Sequence, residues 1–237
     1  ENKGVNLQCA GSDQWGNITA GIDLIRKTTG DEVYGFTMPL VTDSQGKKFG
    51  KSEGNALWLD KNKTSSYKLY QFFVNVEDCM VIDYLKIYTF LSKEEIEELE
   101  KKNNEHPELR EAHKRLAKEI ITFLHGEEEY NKAVKLAESL FNNKFKDLSK
   151  EDIVELFGNQ DTKEVKSNVN IIDFITEIGA VKSKREAREF ITNGAISING
   201  EKVDSIETLI NDDMFIDNTY IVVKRGKKNY YIGQKIN

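Results

Sequence analysis

A short lysine–glycine–serine run, "GKKFGKSEGN", carries the side chains best suited to hold an anion. In it, Lys47, Lys48 and Lys51 surround Gly50, and Ser52 follows directly. A pinned lysine side chain loses roughly 2 kcal/mol of rotamer entropy, so a loop that concentrates three lysines is expected to bind an anion. A solvated surface turn has the same composition, and the run alone does not decide between the two.

A second polar cluster, in "LQCAGSDQWGN", lies where a strand is expected to turn into a helix. Because Gly11 has no Cβ, a ligand can approach the backbone there closely. Gln8, Asp13 and Gln14 stand at the carboxyl end of the strand, where open α/β sheets place ligands. Two alternatives stay open: Asp13 could cap the helix, and Trp15 could serve packing. The spacing matches neither the GxGxxG nor the P-loop pattern.

The elements around these two clusters form a strand–turn–helix unit. Val5 to Cys9 suits a strand, which Gly11 breaks. "NITAGIDLIRKTTG" then predicts a helix with Ile18, Ile22 and Ile25 on one face and Gly30 as its stop. A second short apolar run, "GFTMPLVT", precedes the lysine run. This order is typical of the edge of an α/β sheet.

From about residue 64 the pattern changes to successive segments of helical period, which predicts a helical domain over 64–145. Ser92 and Glu95 have the spacing of a capping box, and Pro107 marks a helix start. Residues 146–168 are polar and predict a connector with one short helix after Ser149.

The last segment, 169–237, predicts a small α+β domain. Its helix "SKREAREFITNG" repeats the capping-box spacing at Ser183 and Glu186. Two hairpins follow, one turning at Asn199 and Gly200 and the other in "TYIVVKRGKKNYYI".

Composition bounds the function classes. The chain has 237 residues, 31% of them charged, but a formal net charge of only -6, so any nucleic-acid contact must be local. Cys9 and Cys79 form no CxxC pair, which argues against a zinc knuckle or a disulfide framework and fits a reducing cytoplasm. No apolar run approaches the roughly 18 residues of a membrane span. The first residues, "ENKGVNLQCA", resemble no signal peptide, and we expect the chain to begin within a domain.

Three of these segments together resemble a known family. "GSDQWGNITAGIDLIRK", then "PLV", then "KFGKS" is similar to the second half of the catalytic domain of bacterial tyrosyl-tRNA synthetases, which belong to the class I aminoacyl-tRNA synthetases. "KFGKS" resembles the KMSKS signature of that class. The terminal "SKREAREFITNGAISINGEKV" resembles the RNA-binding domain of ribosomal protein S-four. The related tryptophan enzyme lacks this terminal domain, so the resemblance favours tyrosine.

The resemblance implies a multi-domain fold of α/β and α+β parts. Its expected divisions are the C-terminal part of a Rossmann-type catalytic domain, a helical anticodon-side domain, a linker and an S-four-like RNA-binding domain, at 1–63, 64–145, 146–168 and 169–237. It implies activation of tyrosine by ATP, with Mg²⁺, transfer to tRNA(Tyr), and no protein-bound metal. A cytoplasmic location and no membrane contact follow from that role.

The same resemblance assigns site residues. Lys48 and Lys51 would hold the β- and γ-phosphates, Gly50 would permit the bend, Ser52 would donate a hydrogen bond, and Lys47 lies outside the signature. The remaining ligand contacts are assigned as follows: ribose to Asp13 and Gly11, adenine to Leu40 and Val41, and the amino-acid end of the substrate to Gln8 and Gln14.

Contacts to tRNA are also implied. Trp15, Arg26 and Lys27 would face the acceptor end, although a helix-end Arg–Lys pair is also favourable with the helix dipole alone. In the terminal domain the cations lie on and just before one helix, at Lys182, Lys184, Arg185 and Arg188, with "KRGKK" as a basic hairpin tip. They suit contact with an RNA phosphate backbone, and a solvated mixed-charge surface is the alternative.

By the resemblance, several family features precede the first residue of this chain: the HIGH-type motif, the phenol-reading residues and the main homodimer interface. His106, His113 and His125 cannot replace the HIGH motif, because exposed or capping histidines are ordinary in helical domains. We therefore expect the isolated chain to be catalytically inactive. A non-catalytic RNA-binding module is the competing hypothesis, which an upstream HIGH-containing half in the reading frame would argue against.

Overall fold

The structure is a computed structural model that describes residues 4–46, 57–158 and 160–236. Its N-terminal unit is a β–α–β crossover. Strand β1 (Leu7–Gly11) pairs in parallel with β2 (Tyr34–Met38), and helix α1 (Trp15–Thr28) connects them. One face of the pair packs on α1, whose Ile18 is buried. The predicted strand–turn–helix order is confirmed, but of the expected apolar helix face only Ile18 is fully buried.

The close approach of α1 to the sheet depends on a glycine in β2. A Cβ at Gly35 would overlap Cγ2 of Ile18, so any larger residue would push the helix away. The apolar side chains on the opposite face of the pair are exposed, namely Leu7, Tyr34, Phe36 and Met38.

The helical region follows and consists of five helices: α2 (Ser66–Val74), α3 (Val81–Tyr88), α4 (Lys93–Glu105), α5 (Glu111–His125) and α6 (Glu127–Asn142). Helix α4 begins with the predicted capping box, in which the Ser92 hydroxyl accepts from the Glu95 amide and the Glu95 carboxylate accepts from the Ser92 amide. Pro107 opens a single 3₁₀ turn ahead of α5. The segments of helical period predicted within 64–145 are therefore helices.

Residues 146–168 contain helix α7 (Lys150–Phe157) and strand β3 (Thr162–Val165). The short helix predicted after Ser149 is confirmed, and Ser149 caps it with a reciprocal box. Ile153 and Phe157 of α7 are buried. Because β3 pairs in parallel with the last strand of the chain, this segment is continuous with the sheet that follows.

The terminal domain is an α+β unit. Its elements after β3 are β4 (Val169–Asn170), α8 (Ile171–Glu177), α9 (Lys184–Thr192), β5 (Ile196–Ile198), β6 (Glu201–Lys202), β7 (Leu209–Ile210), β8 (Tyr220–Arg225) and β9 (Asn229–Lys235). The main sheet has the order β3-β9-β8-β5-β6, and β4 pairs with β7. Both predicted hairpins are confirmed as β5–β6 and β8–β9.

The start of α9 departs from the predicted capping box. The Ser183 hydroxyl accepts from the Glu186 amide as expected. The Glu186 carboxylate, however, accepts from the amide of Lys182 over 2.6 Å, one residue earlier than in the box. The extended backbone of Ser183, with φ -157°, accompanies this shift.

None of the helices in the described residues is both long and apolar enough to cross a bilayer.

Candidate functional site

The turn after β1 brings three of the predicted site residues together. A Cβ added at Gly11 would lie 2.8 Å from Oδ1 of Asp13 and 2.8 Å from Cδ2 of Leu40. Since β1 and β2 are parallel, Gly11 and the segment after β2 meet at the same edge of the sheet. Gly11 has φ -66°, so it is the space and not the backbone angle that excludes a side chain here.

Asp13 lies in a 3₁₀ turn, Ser12–Gln14, with an exposed carboxylate. The N-cap position of α1 is occupied by Gln14, and no side chain caps that helix. Asp13 therefore does not cap α1, and this alternative is wrong. Gln14 accepts a hydrogen bond from Asn17 over 2.9 Å, and Gln8 is exposed on β1.

The first residue of α1, Trp15, is about half exposed. At the other end of the helix, Arg26 and Lys27 are exposed and both pair with Asp23, at 2.7 and 2.6 Å. Hydrogen bonds from Lys27, and then from Arg26, lower the pKa of Asp23. These two cations thus have a local carboxylate partner, and part of their charge is already balanced within the helix.

Leu40 and Val41 border a shallow groove of about 190 Å³ between the segment after β2 and helix α3. Met80, Tyr84 and Ile87 line the α3 side of the groove. Thr42, Asp83 and Lys86 add polar atoms to the lining, so the apolar surface available to a planar base is the part formed by Leu40, Val41, Met80 and Ile87. The two residues predicted to contact adenine therefore lie side by side on one groove wall.

The predicted phosphate-binding residues lie outside the described residues: Lys48, Gly50, Lys51 and Ser52, together with Lys47. The chain is described on both sides of them. On the N-terminal side, the Ser44 hydroxyl donates to Oε1 of Glu77 over 2.7 Å. On the C-terminal side, the Trp58 amide donates to the Thr64 hydroxyl over 2.9 Å.

His125 of α5 also contacts the chain that follows residues 47–56. Its Nε2 lies 2.8 Å from the carbonyl oxygen of Leu59, and its Nδ1 lies 2.9 Å from the Ser66 hydroxyl. The same hydroxyl donates to Glu129 over 2.9 Å. The sequence predicts an exposed or capping role for all three histidines, but their surroundings differ.

His113 is fully buried and is not the exposed or capping residue expected from sequence. Its Nε2 lies 3.0 Å from the carbonyl oxygen of Val76 and 3.2 Å from Asp78. Arg110 donates to the Val74 and Val76 carbonyl oxygens over 2.8 and 2.9 Å. Burial, and then the Arg110 charge, lower the pKa of His113. The two side chains hold the loop between α2 and α3, and no local pattern identifies them.

The predicted cations of the terminal domain lie on and just before α9. Lys182, Lys184, Arg185 and Arg188 are all exposed. Lys184 pairs with Asp173 at 2.5 Å. Within the described ranges, Arg185 and Arg188 have neither an ion pair nor a side-chain hydrogen bond. The Lys182 side chain likewise has no ion pair within the described ranges, so these two arginines and Lys182 are the members of the set whose charge is least compensated.

The "KRGKK" tip divides into two halves. Lys224 donates to Oδ1 of Asn143 over 2.6 Å. Arg225 donates to the Ala180 carbonyl oxygen over 2.6 Å, and its guanidinium lies 5.6 and 5.5 Å from the ring centres of Phe190 and Tyr231. Only the second half of the tip, Lys227 and Lys228, is fully exposed.

No group of three or more His, Cys, Asp or Glu side chains that could hold a metal occurs within residues 4–46, 57–158 and 160–236.

Comparison with known proteins defines the class. A family profile described as "tRNA synthetases class I (W and Y)" matches residues 2–142, more than half of the chain. A second profile, "Tyrosine--tRNA ligase SYY-like C-terminal domain", matches residues 152–232. The chain belongs to the tyrosyl-tRNA synthetase family within class I.

Two curated relatives agree with this assignment. The tyrosine--tRNA ligase of Staphylococcus carnosus (strain TM300) is 50% identical over 228 residues, which is 95% of this chain and 54% of that protein. The Streptococcus mutans (strain ATCC 700610 / UA159) ligase is 48% identical over 96% of this chain and 55% of its own length. A C-terminally truncated Aspergillus nidulans mitochondrial tyrosyl-tRNA synthetase is 36% identical, covering 59% of this chain and 40% of that one, with a TM-score of 0.49. The chain spans about half the length of the curated relatives it matches.

Proposed function

We propose that this chain is the nucleotide-binding and tRNA-binding part of a tyrosine–tRNA ligase. The observation that carries the proposal is the convergence of Gly11, Asp13 and Leu40 at the carboxyl edge of the parallel strand pair. A nucleoside needs a polar group for its ribose and an apolar wall for its base. Asp13 and Leu40 both lie close to the Gly11 turn and would supply these two surfaces.

The reaction has two steps. A carboxylate oxygen of tyrosine attacks the α-phosphorus of ATP, which enters as its Mg²⁺ complex. The bond to the bridging oxygen breaks, and pyrophosphate leaves with the electron pair. A terminal ribose hydroxyl of the tRNA then attacks the carbonyl carbon of the adenylate, loses its proton, and expels AMP. Neither step needs a protein nucleophile, so the protein acts by positioning and by electrostatic stabilisation.

The roles proposed for individual residues come from the family resemblance and fit these charges. The Asp13 carboxylate accepts from the ribose hydroxyls, and Gln8 and Gln14 contact the amino-acid end of the substrate. Lys48 and Lys51 are proposed to neutralise the departing pyrophosphate, assisted by Ser52, with Gly50 permitting the bend between the lysines. A cation placed where charge develops lowers the barrier without being consumed.

Transfer of tyrosine requires that the tRNA be bound on the surface of the protein. Arg185 and Arg188 of α9, with Lys182, Lys227 and Lys228, are proposed to contact its phosphate backbone. Exposed cations without carboxylate partners suit this task, because binding then releases counterions without breaking ion pairs. The half-exposed indole of Trp15 and the cations that end α1, Arg26 and Lys27, are proposed to face the acceptor end. Such a role in translation places the protein in the cytoplasm.

Gly11→Ala and Gly16→Ala form a matched pair that tests the proposal. A methyl group at position 11 enters the space of Asp13 and Leu40, whereas at position 16 no described atom outside its own chain neighbours and helix backbone lies within 4 Å of a Cβ. We expect Gly11→Ala to raise the KM for ATP at least 10-fold and Gly16→Ala to leave it unchanged. The measurement is tyrosine-dependent exchange of pyrophosphate into ATP by the complete reading frame that encodes this chain.

Two results would contradict the proposal. Equal KM values for ATP in the two variants would show that ATP does not bind at the Gly11 turn. The absence of tyrosine-dependent exchange in the unaltered protein, with tRNA binding retained, would favour a non-catalytic RNA-binding module.

A further inference from the structure

The chain that follows the lysine run folds back on itself over residues 58–64. The Trp58 amide donates to the Thr64 hydroxyl over 2.9 Å, and the Thr64 amide donates to the Asp60 carbonyl oxygen over 3.0 Å. The Asp60 carboxylate accepts from the Asn62 amide over 2.9 Å. Because these bonds join both ends of the segment, residues 58–64 form one unit, which we call the return loop.

Three helix ends meet at the return loop. His125, the last residue of α5, has its Nε2 2.8 Å from the carbonyl oxygen of Leu59 in the loop. Its Nδ1 lies 2.9 Å from the hydroxyl of Ser66, the first residue of α2. The same hydroxyl donates over 2.9 Å to Glu129, in the first turn of α6. The loop is therefore attached where α2, α5 and α6 come together.

The core of the helical region holds these three helices in place. Leu69 of α2, Ile121 of α5 and Leu136 of α6 are almost completely buried and belong to one cluster of apolar side chains. The rings of Tyr70 on α2 and Tyr130 on α6 lie 6.2 Å apart, centre to centre. Since protein cores are close-packed, the helix ends above this core keep their mutual distances. The return loop is thus attached to a rigid support.

The donors and acceptors around His125 define where its ring carries hydrogen. A carbonyl oxygen only accepts, so Nε2 carries the hydrogen that points at Leu59. The Ser66 hydroxyl has one proton and lies within reach of both Nδ1 and the Glu129 carboxylate. When that proton goes to Glu129, Nδ1 is protonated as well, and when it goes to Nδ1, the ring is neutral. The bond from Nε2 to Leu59 is present in both states.

The other polar contacts of the return loop are weaker or lie within it. Lys61 approaches Glu129 at 3.8 Å, but the lysine side chain is well exposed, and exposed pairs at this distance add little. The Lys63 amine lies 4.5 Å from the centre of the Trp58 ring, so both partners belong to the loop. In the part of the chain that the structure describes, His125 therefore supplies the main polar attachment of the loop to the helices.

The chain before the lysine run is attached to the helical region as well. The Ser44 hydroxyl donates to Glu77, which lies between α2 and α3, over 2.7 Å. This contact lies on the N-terminal side of residues 47–56, and the His125 contact lies on their C-terminal side. A segment attached at both ends has fewer conformations to lose when it binds a ligand.

We propose that His125 is a positioning residue for adenylate formation: it fixes the return loop on the helical region, and the loop in turn restricts the lysine run that precedes it. His125 acts through the Leu59 carbonyl oxygen and is assigned no contact with substrate. A cation already in place stabilises the leaving pyrophosphate without reorganisation, and a misplacement of about 1 Å can cost roughly 10²-fold in rate. The kinetic half of this inference rests on the proposed function, whereas the attachment of the loop does not.

Hydrogen–deuterium exchange in the complete reading frame tests the attachment. The amides of Trp58 and Thr64 are hydrogen-bonded within the return loop, so they report on its opening. We expect His125→Ala to speed their exchange about 10-fold or more and to leave the amides of α9 unchanged. His125→Gln retains an N–H donor for the Leu59 carbonyl oxygen and should stay close to the unaltered protein. Unchanged exchange of the loop in His125→Ala would overturn the proposal.

His106→Ala is the matched control, because it removes an exposed histidine of the same region whose Nδ1 lies 3.2 Å from Glu108. It should leave the exchange of the return loop unchanged. If His125→Ala speeds exchange in α9 as well, the whole chain is loosened and Ser66→Ala replaces it in the test. Ser66→Ala removes the hydroxyl that orients the ring, and we expect a smaller, several-fold increase confined to the loop. Exchange equal to that of the unaltered protein would then overturn the proposal.

Single-turnover adenylate formation tests the kinetic half. We expect His125→Ala to lower the rate about 10²-fold and to change the KM for tyrosine less than about 3-fold, because the loop is assigned no contact with tyrosine. His125→Gln should recover most of the rate, and His106→Ala should not alter it. Faster exchange of the loop with an unchanged rate would overturn the positioning role. An unaltered protein that forms no tyrosyl-adenylate, while its loop responds to His125→Ala as expected, would uphold the attachment and contradict the proposed function.

Discussion

The Tyr84 hydroxyl donates a hydrogen bond to the carbonyl oxygen of Thr42 over 3.0 Å and so ties helix α3 to the chain that follows β2. Tyr84 is almost fully buried, and burial raises the pKa of its hydroxyl, which therefore remains a donor. Together with the Ser44–Glu77 and His125–Leu59 contacts, this bond attaches the chain on both sides of residues 47–56 to the helical region.

Tyr84→Phe removes one buried hydrogen bond and leaves the ring in place. We expect the free energy of unfolding to fall by about 1 kcal/mol, because the Thr42 carbonyl oxygen loses its donor. Tyr34→Phe, at an exposed ring, should change it by less than about 0.5 kcal/mol. Urea unfolding followed by circular dichroism measures both, and equal effects would mean that the Tyr84 bond contributes nothing specific.

His113 should make stability depend on pH. Burial and the Arg110 charge lower the pKa of His113 in the folded chain, so below the unfolded pKa of about 6.5 the unfolded chain binds the extra proton. Its contribution to stability is complete above that pH and is lost as the pH falls towards the lowered folded pKa. For one proton the slope cannot exceed about 1.4 kcal/mol per pH unit.

The measurement compares unfolding free energies between pH 8 and pH 5 for the unaltered chain and for His113→Gln. Glutamine retains a donor for the Val76 carbonyl oxygen but does not titrate in this range. We expect a shallower decline with falling pH in the variant. Parallel curves would show that the acid sensitivity arises from other groups.

The lysine run should act on the chemical step. In the complete reading frame, Lys48→Ala or Lys51→Ala should slow adenylate formation by about 10² or more, the scale of removing one charge interaction from a transition state, with little change in tyrosine affinity. Lys47→Ala, outside the signature, should have almost no effect. Single-turnover measurements give the rate of adenylate formation. Unchanged rates in both Lys48→Ala and Lys51→Ala would show that neither lysine contacts the pyrophosphate.

Local chemistry explains what the sequence could predict. The Asn199–Gly200 turn follows from two residues that tolerate positive φ, and the α4 start follows from a serine and a glutamate three residues apart. The convergence at Gly11 could also be anticipated, because parallel strands end at the same edge of a sheet. In each case the cause lies within a few residues of the effect.

Contacts between distant residues could not be predicted in this way. Asn143 and Lys224 are 81 positions apart, and nothing in either neighbourhood specifies the other. His113 precedes a run of ordinary helix formers, and only the fold places it under the α2–α3 loop. Lys224 and Arg225 share a basic run with Lys227 and Lys228, yet the sheet turns the first two towards protein partners.

The charges on α9 underlie the last prediction. Arg185 and Arg188 are three residues apart on an exposed helix face and have no carboxylate partner within the described residues, whereas Lys184 is paired with Asp173. The chain is acidic overall, but charges are screened over about 8 Å at physiological salt, so distant carboxylates have little effect on this face. The two arginines should therefore attract an RNA phosphate backbone despite the negative net charge of the chain.

Arg185→Ala with Arg188→Ala should weaken tRNA(Tyr) binding and also flatten its salt dependence, by about one unit of log–log slope for each phosphate that the protein no longer neutralises. The slope is the decisive quantity, because a variant that only misfolds loses affinity without releasing fewer counterions per bound molecule. Lys93→Ala with Lys101→Ala removes the same charge from α4, where both lysines pair with glutamates, and should leave the slope unchanged. Fluorescence anisotropy between 50 and 300 mM salt, about the range over which such interactions weaken, measures all three chains. Identical slopes for the arginine and lysine variants would show that this face of α9 is only solvated.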